Sequence, residues 1–126
     1  MNLTPASLPK TGAAYDLAIA VALLAGAGAL ERDPAGVVHL GELGLDGRLR
    51  PVRGVLPAVR AGLEAGIERF VVPSANLEEA LLVPGASVRG VDSLAQVAQL
   101  YGADIPPPPR LVSRHGELLN SLSILL

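Results

Sequence analysis

Residues 40–58 read LGELGLDGRLRPVRGVLPA, and this stretch carries more structural information than any other part of the chain. The pair Asp46-Gly47 predicts a hairpin turn, because glycine tolerates the positive φ that such a turn needs. Gly54 then indicates a second turn, and Pro57 falls where the first turn of a helix tolerates proline. The stretch therefore predicts a β-hairpin followed directly by a helix.

Outward from this stretch, short strands alternate with helices, which indicates a layered α/β (α+β) domain. The helix after the hairpin ends at Ala65, before Gly66, and we expect Asn76 to cap the next helix. Asp92 or Ser93 is expected to cap the last helix, which reaches about Tyr101. The predicted strands span 37–45, 48–52, 69–72 and 87–91, and the remaining predicted helices span 15–29 and 77–82.

The composition of the 126 residues fits one domain with a real hydrophobic core. Half of the residues are hydrophobic, but only Tyr15, Phe70 and Tyr101 are aromatic, so the core must consist of Ala, Val, Leu and Ile. The net charge of −2 provides no overall field that would attract nucleic acid or anionic lipid. The absence of cysteine excludes disulfides, thiolate catalysis and cysteine metal sites, and it fits a cytoplasmic protein.

The segment Leu17 to Leu30 carries no charge and follows the basic residue Lys10. It is shorter than the roughly 20 residues that span a bilayer, so we expect no membrane segment. A signal peptide and a buried core helix both fit this order of residues, but Asp16 at the helix entrance disfavours the signal peptide. As a core helix that is apolar all round, it is expected to be buried on most of its faces.

The composition changes after residue 104. Pro106 to Pro109 form a four-proline run that favours an extended spacer. We therefore predict a domain over residues 1–104, a linker over 105–110 and a tail over 111–126. The domain is expected to lack its first strands, since the residues from Asn2 to Thr4 resemble the end of a strand. The tail is rich in apolar residues, which are Leu118, Leu119, Leu122, Ile124, Leu125 and Leu126.

Four isolated residues have side chains capable of chemistry. Lys10, the only lysine, is the base of a reassigned dyad near the Thr11 hydroxyl, a contact for an anion or a partner, or a solvated side chain. Glu42 lies among leucines, where it could do acid–base work, or it pairs with an arginine or caps a loop. His39 and His115 have no ligand partner at metal-binding spacing, so we expect no metal site and a structural role for His39.

One local cluster of positive charge follows the predicted hairpin turn. Arg48 and Arg50 alternate with Leu49, which places both arginines on one face of the strand, and Arg53 follows them. These residues are candidates for contact with nucleic-acid phosphates or with a protein partner. An ordinary solvated surface fits the same pattern, because the sequence has no aromatic residue nearby to stack on a base.

Three segments occur in an informative order: PKTGAA at 9–14, GELGLDGRLRPV at 41–52 and AGIERFVVP at 65–73. Their order resembles the proteolytic domain of Lon-type proteases. It resembles more closely the Lon-like amino-terminal domain of the Mg-chelatase-related, ComM/YifB-type AAA+ proteins, whose aromatic-Asp-Leu sequence matches Tyr15-Asp16-Leu17. The resemblance covers residues 2–102 and implies a small layered domain of the Lon type.

The resemblance also locates the positions where a Lon protease has its catalytic residues. The nucleophilic serine corresponds to Ala14, the lysine to Ala58, and the threonine that supports the lysine to Leu40. A serine–lysine dyad needs a hydroxyl group and an amine that can deprotonate it, and two alanines supply neither. The resemblance therefore implies a domain with no catalytic residues.

The expected function is that of a non-catalytic interaction or assembly domain of a ComM-like AAA+ ATPase, associated through its parent with DNA processing in natural transformation. No phosphate-loop motif occurs in the sequence, so we expect no cofactor in this chain. The expected partners are further copies of the chain or an AAA+ module, with DNA reached through the parent. The alternatives are a Lon-like peptidase with a displaced dyad and a RadA-like domain, the latter disfavoured because the proline linker follows the domain.

Overall fold

The computed structural model describes residues 13–103. The helices are α1 (Asp16–Gly26), α2 (Val55–Glu64), α3 (Leu77–Ala80) and α4 (Leu94–Leu100). The strands are β1 (Val37–His39), β2 (Glu42–Leu43), β3 (Leu49–Arg50), β4 (Arg69–Pro73) and β5 (Ser87–Val91), and a 3-10 turn covers Ser74–Asn76. The predicted α/β class is confirmed. The predictions for residues 2–4 and for the linker and tail lie outside the described residues.

The main sheet is parallel, with the strand order β1-β4-β5. Strands β2 and β3 form a separate antiparallel pair, joined by the turn predicted at Asp46-Gly47. Gly47 has a φ of +86°, which confirms the reason for expecting glycine there. Two hydrogen bonds connect the hairpin to the chain where β5 ends and α4 begins. The Leu49 amide donates to the Asp92 carbonyl, and the Leu94 amide donates to the Gly47 carbonyl.

Strand β4 is central and packs against helices on both faces. Its alternate residues Phe70 and Val72 join a cluster with Val55 and Val59 of α2. Val71 points to the opposite face and joins a cluster with α1 and α4. Within residues 13–103 a sheet therefore lies between two helical layers, and the buried hydrophobic side chains are aliphatic apart from Phe70 and Tyr101.

The predicted strand over 37–45 is in fact two strands in two different sheets. Strand β1 ends at His39, and β2 begins at Glu42. Between them the chain turns toward α1, where the Gly41 amide donates to the Ala14 carbonyl over 3.0 Å. An unbroken run of strand-forming residues predicts β structure but not the point at which the chain changes its partner.

Helix α1 is shorter and far more exposed than predicted. Only Leu17 and Val21 in it are buried, and they form one stripe against the sheet. On the other side Ile19 is 57% exposed and Leu23 is 70% exposed, with Tyr15 just before the helix at 51%. The prediction of burial on most faces is wrong, because one side of α1 packs on the sheet and no element within residues 13–103 covers the other.

The caps agree with the sequence at two helices and differ at a third. The Ser93 hydroxyl accepts from the Gln96 amide over 3.2 Å, and Gly66 follows α2 with a φ of +89°. Asn76 precedes α3 but makes no cap with its side chain. Instead its side-chain oxygen accepts from the Val52 amide at 2.9 Å, and its side-chain nitrogen donates to the Val52 carbonyl at 3.0 Å. The prediction of an Asn76 cap is wrong, because Val52 offers this side chain two bonds at once.

Among the helices of residues 13–103, none has the length and apolar character needed to cross a membrane.

Gly62 of α2 generates a test of core packing. A Cβ atom at this position would lie 2.5 Å from Cε2 of Phe70, whose side chain is only 1% exposed and has no free space to enter. We expect Gly62→Ala to lower the free energy of unfolding by up to about 2 kcal/mol, because an overpacking cost of about 1–3 kcal/mol outweighs the gain of about 1 kcal/mol in helix propensity. Urea denaturation monitored by circular dichroism measures this difference.

The matched control is Gly26→Ala in α1, where a Cβ atom would have no neighbour within 4 Å. We expect this variant to be as stable as the parent or slightly more stable. The double variant Gly62→Ala/Phe70→Leu should lose less stability than the sum of the losses of the two single variants, because the smaller side chain relieves the overpacking. Equal stability of Gly62→Ala and Gly26→Ala would contradict the packing argument.

Candidate functional site

The three positions that the resemblance matches to a catalytic serine, lysine and threonine line one cavity in the fold. This cavity has a volume of about 240 Å³ and opens to the surface. It lies where the start of α1, the end of β1 and the first turns of α2 meet. We call it the alanine cavity, and its lining residues are Ala14, Tyr15, Leu40, Val52, Arg53, Gly54 and Ala58.

Ala14 reaches the cavity through backbone bonds to the residue that follows Leu40. The Gly41 amide donates to the Ala14 carbonyl at 3.0 Å, and the Leu17 amide donates to the Gly41 carbonyl at 3.1 Å. A Cβ atom on Gly41 would lie 3.1 Å from Cδ2 of Leu49, which is a tight contact. The glycine of the Gly-Glu motif therefore leaves room for the Leu49 side chain of the hairpin.

Ala58 reaches the cavity because of the turn that precedes α2. Gly54 has a φ of +78°, a conformation that favours glycine, and its carbonyl accepts from the Ala58 amide at 3.1 Å. The chain entering this turn is held in place by the Asn76 side chain, which binds both backbone groups of Val52. The turn at Gly54 and the hydrogen bonds between Asn76 and Val52 therefore hold the first turn of α2 beside Ala14.

The side chains at the three matched positions carry only hydrocarbon. Ala14, Ala58 and Leu40 can neither attack a carbonyl group nor move a proton. The polar side chains of the lining are the phenol of Tyr15 and the guanidinium of Arg53, both on exposed residues. The cavity can therefore accept an apolar group beside a positive charge.

Glu42 is half-buried in β2 and does not line the alanine cavity. The strand register places it directly across from Arg50, which is a favourable arrangement of opposite charges in an antiparallel pair. The ion pair found within residues 13–103 is Arg48 with Asp46, so the pairing of Glu42 with an arginine stays a prediction.

The structure gives the three arginines of the hairpin region different surroundings. The Nε atom of Arg48 is buried and lies 3.5 Å from an oxygen of Asp46, an ion pair without a hydrogen bond within the described residues. Arg50 lies across from Glu42, and Arg53 lines the alanine cavity. Contact of these arginines with nucleic acid or with a partner stays a prediction.

His39 is buried, and its Nε2 atom lies 2.7 Å from the Tyr101 hydroxyl, within hydrogen-bond distance. Burial lowers the pKa of His39, while its hydrogen bond to the Val37 backbone opposes that shift. The histidine therefore has the structural role expected from the sequence. Lys10, Thr11 and His115 lie outside the described residues. Within 13–103 no three histidine or acidic side chains are grouped so that they could hold a metal ion.

Sequence reasoning missed the role of Asn76 in this site. The residue lies 24 positions beyond Val52, and local sequence contains no signal for a bond over that separation.

The fold and the alanine cavity define the class as a small Lon-like α/β domain. Comparison with known proteins supplies the family: the model described as subunit ChlI of Mg-chelatase matches residues 1–76. The chain belongs to this family.

Within the family, the curated relatives identify the ComM/YifB type. The chain is 52% identical over 101 residues to an uncharacterised protein of Mycobacterium tuberculosis, and the aligned region is 77% of the chain and 20% of that relative. It is 35% identical over 119 residues to YifB of Escherichia coli, covering 90% and 23%. It is 36% identical over 100 residues to the competence protein ComM of Haemophilus influenzae, covering 79% and 19%.

The similarity also extends to Lon proteases themselves. The archaeal Lon protease of Thermococcus kodakarensis is 29% identical over 114 residues, which is 86% of the chain and 18% of that protein. The resemblance drawn from the three sequence segments is therefore confirmed. The chain spans about a fifth of the length of the curated relatives described above.

The buried histidine generates a prediction about pH. Burial lowers the pKa of His39 in the folded state, whereas in the unfolded state the imidazole has its ordinary pKa of about 6.5. Below that pH the unfolded state therefore binds a proton more readily than the folded state does. The stability from neutral His39 is present above about pH 6.5 and is lost as the pH falls toward the folded-state pKa. The loss cannot exceed about 1.4 kcal/mol per pH unit for one proton.

Urea denaturation at pH 7.5 and pH 5.5 tests this expectation. The His39→Gln variant should lose this part of the pH dependence, and His115→Gln, which changes the other histidine, should keep it. The same pH dependence in His39→Gln as in the parent would assign the effect to other groups.

Proposed function

We propose that the chain is the non-catalytic Lon-like interaction and assembly domain of a ComM-like AAA+ ATPase. The observation that carries this proposal is the convergence of Ala14, Leu40 and Ala58 around one cavity. These are the positions where a Lon protease needs its serine, threonine and lysine. The resemblance matches these positions to the side chains that a Lon dyad requires, and hydrocarbon groups occupy all three.

A role in assembly is supported by the exposed stripe of α1, formed by Tyr15, Ile19 and Leu23. These side chains are spaced four residues apart and therefore lie on one face of the helix. Contiguous exposed apolar surface of this kind marks contact surfaces. The proposed partners are other copies of the chain or the AAA+ module of the parent.

The proposed setting of the parent is the cytoplasm, with a role in DNA processing during natural transformation. The word "competence" in the name of the Haemophilus influenzae relative supports this setting. In this proposal, ATP hydrolysis and any DNA contact of the parent protein take place outside the alanine cavity. The domain helps to assemble the parent protein and does not catalyse a reaction.

The catalytic part of the proposal predicts that the chain hydrolyses no peptide. Ala14→Ser alone should also be inactive, because Ala58 leaves the new hydroxyl without a general base. The assay uses unfolded casein and small ester substrates, with an active Lon protease as the positive control. Reproducible turnover that disappears in Lys10→Ala would refute the proposal and support a displaced dyad.

The assembly part predicts that the chain self-associates or is prone to aggregate. We expect Leu23→Glu to lower the mean mass in light scattering, because it places a charge on the exposed stripe of α1. Ala61→Glu, which adds the same charge at an exposed position of α2, is the matched control. A chain that ends at Asp104 should also associate less, since it lacks the apolar tail. If the unsubstituted chain is monomeric at high concentration and these changes do not alter its mean mass, self-association is contradicted.

A further inference from the structure

A second cavity lies at the amino ends of the three parallel strands, whereas the alanine cavity adjoins Leu40 at the carboxyl end of β1. It has a volume of about 280 Å³ and is open to solvent. The first residue of each strand lines it, namely Val37 of β1, Arg69 of β4 and Ser87 of β5. We call it the arginine cavity, because Arg69 and Arg89 provide its charged side chains.

The strand register places its polar side chains on one face of the sheet. Arg69 is paired with Val37 on one side and with Ser87 on the other. Arg89 is two residues beyond Ser87 in β5 and therefore points to the same face. The α-carbons of the two arginines are diagonal neighbours, which in a sheet are about 7–8 Å apart. Two long guanidinium side chains at that separation can reach one small ligand.

Neither arginine has a carboxylate partner in the described part of the chain. The ion pair found within residues 13–103 is Arg48 with Asp46, in the hairpin. Arg69 and Arg89 are both exposed, and the lining of the cavity includes no acidic residue. Their positive charge is therefore available to a ligand.

The edge of the cavity adds a hydroxyl group and apolar surface. Tyr101 lines it, and burial raises the pKa of this phenol while the nearby charge of Arg69 acts in the opposite direction. Arg69 is thus within electrostatic reach of Tyr101. Val37 and Leu100 contribute the apolar part of the lining.

We infer that the arginine cavity is a phosphate-binding site, in which Arg69 and Arg89 bind the oxygens of one phosphate group and the Ser87 hydroxyl donates a further bond. Each guanidinium has a planar set of N–H donors that matches phosphate geometry and can bind in bidentate fashion. Two such groups and a hydroxyl offer more donors than the two oxygens of a carboxylate accept, which favours phosphate. The inference depends on neither the alanine cavity nor the proposed function.

The phosphate can belong to a small molecule or to the backbone of single-stranded nucleic acid, and two titrations distinguish these sources. The 15N-labelled full-length chain is titrated with inorganic phosphate and, separately, with a 15-residue oligothymidine, while backbone amide shifts are recorded. Acetate at the same ionic strength is the anion control. We expect shifts that cluster at residues 69, 87, 89 and 101 with at least one phosphate probe and not with acetate.

Variants then connect the shifts to the two side chains. Arg69→Gln and Arg89→Gln should each weaken binding by about fivefold, near the upper end of the effect of one exposed ion pair. Arg60→Gln, which removes the same charge from an exposed position of α2, should change affinity by less than about twofold. If the oligothymidine binds, the double variant Arg69→Gln/Arg89→Gln should also reduce the slope of log affinity against log salt by about 0.7, because the two side chains together neutralise one phosphate.

Binding of inorganic phosphate alone would assign the site to small phosphorylated molecules, and binding of the oligothymidine alone would assign it to nucleic acid. Both outcomes support the site. No shift with either probe, equal shifts with acetate, or equal affinity in Arg69→Gln, Arg89→Gln and the parent would overturn it. Shifts confined to the hairpin at residues 48–53 would also overturn it and would favour the hairpin arginines instead.

Discussion

The burial of strand β4 on both of its faces is the constraint on which the two helical layers depend. Phe70 and Val72 point to α2, and Val71 points to α1 and α4, so one five-residue strand belongs to both clusters of the core. A strand in this position must be apolar on both sides and flanked by other strands, and β1 and β5 satisfy its backbone bonds. The glycine at position 62 follows from the same constraint, because the ring of Phe70 occupies the space where a side chain would lie.

Features set by local chemistry could be predicted from the sequence. The turn at Asp46-Gly47, the strand over 87–91 and the cap at Ser93 each depend on residues within a few positions of one another. The failures share a different cause. The break after His39 depends on where the chain meets α1, and the two bonds of Asn76 depend on Val52, 24 residues away.

The exposure of α1 shows the same limit for hydrophobic patterns. An all-apolar helix is expected to be enclosed, but the pattern contains no information on which neighbours are present to enclose it. The two candidate sites differed in whether the sequence could reveal them. Ala14 and Ala58 could be found through a resemblance to a known motif. Arg69 and Arg89 belong to different strands and became neighbours only once the strand register was known.

The alanine cavity persists without reactive side chains because the backbone creates it. Three features position its walls: the hydrogen bonds between Gly41 and the start of α1, the positive φ of Gly54, and the hydrogen bonds between Asn76 and Val52. None of them uses a side chain at position 14 or 58. Alanine at positions 14 and 58 is therefore compatible with this arrangement of the backbone. Since these devices also hold α1 against the sheet and fix the entrance to α2, they stabilise the domain whether or not it catalyses anything. In the proposed function, the domain keeps this backbone arrangement for structural reasons, and its contacts lie on surfaces that the arrangement holds in place, such as the exposed face of α1 and the amino ends of the strands.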